Sequence, residues 1–83
     1  MDPERFIADT LDWLHRRVLP PDVSVDADTP LFENGLVDSI RILKLIAWTE
    51  SRIGRTIPDR EIRMDNFRCV RRIAVVFAGE EGS

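Results

Sequence analysis

Apolar positions along the chain fall into three helical stretches separated by two irregular connections. Ile7, Leu11, Leu14 and Val18 recur at steps of three and four, and Phe6 and Trp13 widen the stripe, which predicts an amphipathic first helix. Asp2 can cap it, Pro3 suits the first helical position, and Glu4 sits at the positive end of the helix dipole. Arg16 and Arg17 fall in the last turn, and Pro20-Pro21 stops the helix. Residues 19–38 show no helical period. Val23, Val25, Leu31 and Phe32 punctuate an acidic run of Asp22, Asp26, Asp28 and Glu33. A connection this long is pinned to the core or used in function. Both are expected here, with Leu31 and Phe32 as anchors and the acids as solvated surface.

The second helix is expected from Ser39 to Ile53, capped by Asp38 or Ser39 and closed by Gly54. Ile42, Leu45, Ile46, Thr49 and Ile53 form its predicted core face, broadened by Leu43 and Ala47. Arg55 to Pro58 reads as an extended link. Asp59 then caps a short helix over Arg60 to Met64, with Ile62 inward. Asp65-Asn66 breaks that helix, and Phe67 plugs the core. A last helix runs from Cys69 or Val70 to Phe77, with Val70, Ile73, Ala74 and Phe77 inward and only a poor cap at Arg68-Cys69. The expected fold is all-α: three main helices, one short helix, and a long loop after the first. The 83 residues make one domain, with an ordered core over about 3–78 and a frayed tail at 79–83.

Hydrophobic content of 43% with 33% charged residues describes a globule rather than a disordered chain. No apolar run approaches the ~20 residues that span a bilayer, and the N-terminus lacks the basic start and apolar block of a signal peptide. Cys69, the single cysteine, excludes an internal disulfide and fits a reducing cytoplasm. His15 is the only histidine and has no cysteine nearby, so it reads as a surface residue rather than a metal ligand. The acids of the first loop do not follow EF-hand spacing, and Pro30 interrupts them. No metal site is expected.

The chemistry centres on Leu31-Phe32-Glu33-Asn34-Gly35-Leu36-Val37-Asp38-Ser39-Ile40. Gly35 gives freedom for a turn, and Ser39 falls at the start of a helix, where free N–H groups favour an anion. Ser39 has no His or Lys beside it and is therefore not an activated nucleophile. The segment Gly35 to Ile40 resembles the attachment motif of acyl and peptidyl carrier proteins, in which the serine of Asp-Ser-Leu or Asp-Ser-Ile carries a 4′-phosphopantetheine arm. The longer string from Leu31 is most similar to small free-standing carriers that load amino acids, the D-alanyl carriers among them. Ile57-Pro58-Asp59 and the helix from Val70 to Phe77 extend the resemblance over roughly residues 4–78.

That resemblance implies a non-catalytic four-helix carrier whose Ser39 receives 4′-phosphopantetheine from coenzyme A. A phosphopantetheinyl transferase with Mg²⁺ would attach it. An adenylating or acyl-loading enzyme and a downstream transferring enzyme would be the other partners, and the cargo tilts toward amino acids. With Met1 first and no flanking linker, the chain reads as a free-standing, monomeric, cytoplasmic carrier.

Asp38, Ile40, Arg41, Lys44 and Trp48 surround or follow the anchor and are the candidate recognition residues. Arg41, Lys44, Trp48, Arg52 and Arg55 share one stripe of the second helix. The first 38 residues hold nine acids and three bases, a net of −6, and the remainder nine bases and six acids, a net of +3, for −3 in all. The stripe is either a solvated face, with Trp48 folded on the following loop, or a recognition face for an acidic enzyme surface with Trp48 as its anchor. A nucleic-acid-binding helical domain, or a carrier-like module that is never modified, is the alternative. A pI near 5.0 weighs against nucleic acid.

Overall fold

A computed structural model describes residues 2–33 and 35–78, so the expectation for the 79–83 tail lies outside the described residues. Helix α1 spans Pro3–Trp13 and widens into a π-helical turn over Leu14–Val18. As expected, the Glu4 N–H donates to Asp2 Oδ1 at 3.1 Å. The buried row is Phe6, Thr10 and Leu14, however, while Ile7, Leu11 and Val18 are only half-buried. The stripe is rotated because Thr10 has a partner. Trp48 Nε1 donates to its Oγ1 at 2.9 Å, so a hydroxyl can sit at the centre of the face.

The long loop is pinned, by more contacts than its sequence suggests. Leu19, Val25, Ala27, Leu31 and Val37 are buried, and Phe32 is half-buried. The Leu31 N–H donates to the Arg68 carbonyl and the Arg71 N–H to the Ala27 carbonyl, both at 2.8 Å. His15 is exposed as expected, yet its Nε2 accepts from the Val25 N–H at 3.0 Å, so that nitrogen is unprotonated in this arrangement. The acids are not merely solvated either. Asp26 Oδ1 holds a turn through the Asp28 N–H and the Thr29 hydroxyl, and Asp28 meets Arg71 through two bonds of 2.7 and 3.1 Å.

The Arg71 guanidinium lowers the Asp28 pKa from its ordinary 3.8, and Asp28 in turn raises that of Arg71. A depressed carboxylate contributes its stability in full above the unfolded value and loses it as pH falls through the folded one. Asp28→Asn should therefore lower the melting temperature slightly at neutral pH, the pair being solvent-exposed. In melts well below pH 3.8 the difference from wild type should vanish, because the wild-type carboxyl is then protonated too.

Helix α2 spans Arg41–Ile53, two residues later than expected, because Ser39 and Ile40 form a tight turn. The Leu43 N–H reaches the Ile40 carbonyl instead of that of Ser39. Gly54 ends the helix at φ 77°, a conformation that a side chain strains. Leu45 and Thr49 are buried, and Ile42, Ile46 and Ile53 half-buried. Leu43 and Ala47 do not join the core: both are exposed, Leu43 at 65%, as is Ile40 at 69%. Packing partners lie on one side of α2 only.

The expected short helix is replaced by two 3₁₀ turns, Asp59–Glu61 and Met64–Phe67. Asp59 makes no capping bond there; it lies inside the first turn, after Pro58. Propagation fails because Arg63 is extended (φ −128°, ψ 146°) and Asn66 Nδ2 takes the Glu61 carbonyl at 2.9 Å. Asp65 and Asn66 thus belong to a turn rather than break one. Phe67 does plug the core, 5.3 Å from the Phe77 ring.

Helix α3 spans Val70–Ile73 and continues as a π-helical turn over Ala74–Ala78. Val70, Ile73, Ala74 and Phe77 are buried as expected, and half-buried Cys69 precedes α3 without a side-chain cap. The chain is all-helical, with no strand among the described residues. No helix among them is long and apolar enough to cross a membrane.

Candidate functional site

The end of the long loop is clamped on both sides of a short projecting turn. Leu31 and Val37 are buried, and the Val37 N–H donates to the Leu31 carbonyl at 3.0 Å. Between them Gly35 turns the chain at φ 69° and donates to the Phe32 carbonyl at 3.0 Å, a conformation that a β-carbon disfavours. With Val37 fixed, Asp38, Ser39 and Ile40 stand out into solvent.

Asp38, rather than Ser39, is the cap. Its Oδ1 accepts from the Arg41 N–H at 2.8 Å and the Ile40 N–H at 3.0 Å. The Arg41 bond, opposed by desolvation and helped by the bond from Ile40, holds the carboxyl below its ordinary 3.8. Asp38→Ala leaves both N–H groups without that acceptor and should lower the melting temperature by a few degrees. As a depressed acid, Asp38 gives stability that is complete above pH 3.8 and fades below it, so the deficit of the variant should close in acid melts. Because Asp38 caps, the Ser39 hydroxyl is exposed and has no hydrogen-bond partner among the described residues.

Beside Ser39 lies a cleft of about 380 Å³ walled by Phe32, Val37, Ile42, Ile62, Met64 and Phe67. Asp38, Ser39 and Arg63 supply its polar lining. The wall from Ile62 to Phe67 escapes the sequence reading, because nothing in a linear pattern puts a segment some 25 residues downstream against residue 39. Met64, 66% exposed, adds a third solvent-facing apolar side chain to Ile40 and Leu43.

The candidate recognition residues do not all gather at the anchor. Asp38, Ile40 and Arg41 adjoin it, with the Arg41 guanidinium 3.4 Å from the Leu36 carbonyl, and Lys44 is exposed one turn further along. Trp48 is turned to α1 instead of the following loop: it stacks on Trp13 with centroids 4.8 Å apart and planes 9° apart. Arg52 covers the Trp48 ring and pairs with Asp9, and Arg55 lies near Glu61. The basic stripe is therefore divided: Lys44 has no ion pair among the described residues, Arg41 reaches the Leu36 carbonyl, and Arg52 and Arg55 are engaged within the fold. No cluster of three or more His, Cys, Asp or Glu able to hold a metal occurs among the described residues.

Residues 11–75 match the family of the phosphopantetheine attachment site. The chain belongs to this carrier family. A solved structure of the apo peptidyl carrier protein KstB-PCP is 32% identical, with a TM-score of 0.72, over 94% of this chain and 88% of that one. No curated protein matches. The domain is thus a carrier with the site for a 4′-phosphopantetheine prosthetic group, in a family that is generally non-catalytic and works with phosphopantetheinyl transferases and synthetase enzymes. The nucleic-acid-binding and never-modified alternatives are not favoured.

The side chains suit such a group. Ser39 offers a hydroxyl with no competing partner, the adjoining cleft is apolar, and Arg63 in its lining can balance a phosphodiester charge.

Proposed function

We propose that Ser39 is the attachment point, and that the carrier holds an acyl or aminoacyl group while partner enzymes act on it. The exposed, unpartnered hydroxyl between the Asp38 cap and Ile40 is the observation that carries this reading. When attached, the prosthetic group supplies a terminal thiol that carries cargo as a thioester. The chain itself provides the anchor, a tether point that raises the local concentration of cargo, and an apolar cleft in which the arm or part of its cargo can rest. Ile40, Leu43 and Met64, with Arg41 and Lys44 alongside, form the surface offered to partners.

The partners on this reading are a phosphopantetheinyl transferase, an adenylating or acyl-loading enzyme with an acidic docking surface, and a downstream transferring enzyme. Residues 1–83 act as a single monomeric carrier domain in the cytoplasm. Incubation with a promiscuous phosphopantetheinyl transferase, Mg²⁺ and coenzyme A should add one phosphopantetheine to the intact mass. Ser39→Ala should abolish the adduct while leaving the melting temperature unchanged, since that hydroxyl has no hydrogen-bond partner among the described residues. An adduct that survives in the variant refutes the assignment.

A further inference from the structure

Away from Ser39, a shallow groove of about 620 Å³ runs between the end of α1 and the middle of α2. It is lined by Trp13, Arg17, Val18, Lys44, Ala47 and Trp48. Its wall is preorganised. The two indoles are stacked, the Trp48 N–H is bonded to Thr10, and Arg52 lies 5.5 Å from the Trp48 ring centre. An aromatic surface already held in one geometry costs little entropy on binding.

The charges around it are distinctive. Two of the three α1 acids are taken up by other bases, Asp9 by Arg5 and Arg52 and Asp12 by Arg16, and the third, Glu4, lies in the first turn at the opposite end of the helix from the groove. Arg17 and Lys44 have no ion pair among the described residues. Two uncompensated cations thus flank an indole wall on a chain whose net charge is −3. A phosphate backbone calls for many more cations than two, and an anionic membrane for a polybasic cluster.

We propose that this groove receives an acidic segment of a partner enzyme, one that sets an aromatic or leucine side chain against the Trp13–Trp48 stack and its carboxylates against Arg17 and Lys44. The proposal rests on the carrier reading for the identity of the partner. Trp48 lies seven residues beyond Arg41, the first residue of α2, roughly 10 Å along the helix axis from the end that adjoins Ser39. The partner would therefore be gripped at its rim while the tethered cargo reaches inward. Charge complementarity of this kind governs association rate and partner choice more than raw affinity.

The test is a randomised peptide display library selected on the wild-type chain and counter-selected on R17E/K44E, with the selected peptides mapped by amide and indole chemical shifts. The expected result is enrichment of Asp and Glu together with an aromatic or Leu. Shifts should be confined to the six lining residues, and affinity should fall at least about tenfold in R17E/K44E and fall with added salt. R17K should retain most of the binding. Peptides without acidic enrichment, or with equal affinity for the reversed variant, overturn the proposal. Intact-mass analysis of the wild type separates the two readings. A chain that accepts the arm but selects no acidic peptide overturns the groove alone, whereas acidic peptides bound by a chain that is never modified uphold the groove and refute the carrier assignment.

Discussion

Phe67→Ala should cost about 3–5 kcal/mol, the range for truncating a buried Phe. A domain of 83 residues at roughly 0.05–0.15 kcal/mol per residue has only about 4–12 kcal/mol in total. The loss therefore removes from about a quarter to all of the domain's stability. Urea titration followed by far-ultraviolet circular dichroism would measure the loss, and a midpoint unchanged from wild type would show that the plug is dispensable. The consequence reaches the site. Phe67 packs on Phe77 and also walls the cleft beside Ser39, so the fraction that stays folded should have a deeper cavity next to the anchor. Phe67→Leu, which keeps most of the volume, should recover the greater part of the stability.

The second large effect is expected at Trp48. Its half-buried indole contributes apolar burial worth about 1.5–3 kcal/mol, a ring stack worth about 0.5–1.5, and a hydrogen bond worth about 1. Trp48→Ala should destabilise by roughly 2–4 kcal/mol, less than the sum because the side chain is not fully enclosed. Trp48→Phe should recover most of the burial yet leave the Thr10 hydroxyl without its donor, and so stay about 1 kcal/mol below wild type. Near-ultraviolet circular dichroism gives an independent reading: the coupled signal of two parallel indoles should disappear in both variants. Wild-type stability in Trp48→Phe would indicate that water replaces the lost donor.

What the sequence made legible and what it concealed divide along a physical line. The α1 cap at Asp2, the stop at Gly54, the inward set of Val70, Ile73, Ala74 and Phe77, and the plug at Phe67 were all readable, because each follows from local preference or from a period within one element. The Asp38-Ser39 turn was readable as a helix start for the same reason. Contacts between segments distant in the chain were not. Thr10 lies outside the apolar period of the first helix, and its place in the buried row follows only from its bond with Trp48, 38 residues away. Leu43 and Ala47 looked like core because apolar character was read without knowing how many neighbours α2 has. Asp28 looked like a solvated acid because Arg71 lies 43 residues downstream. The 3₁₀ turns of the 59–67 segment depend on Asn66 taking the Glu61 carbonyl, a competition that helix propensities do not register.

The clasp between the first loop and the last helix bears on the order in which the molecule is built. Ala27, Asp28 and Leu31 close onto Arg68 and Arg71, some forty residues later in synthesis. A ribosome delivers Ser39 some thirty residues before residues 68–71, and the loop that presents it gains its fastening only after those have emerged. The nascent chain therefore carries Ser39, the proposed attachment point, well before it carries the fastened loop that presents it. On the proposed assignment, modification that depends on the folded surface waits until residues 68–71 have emerged.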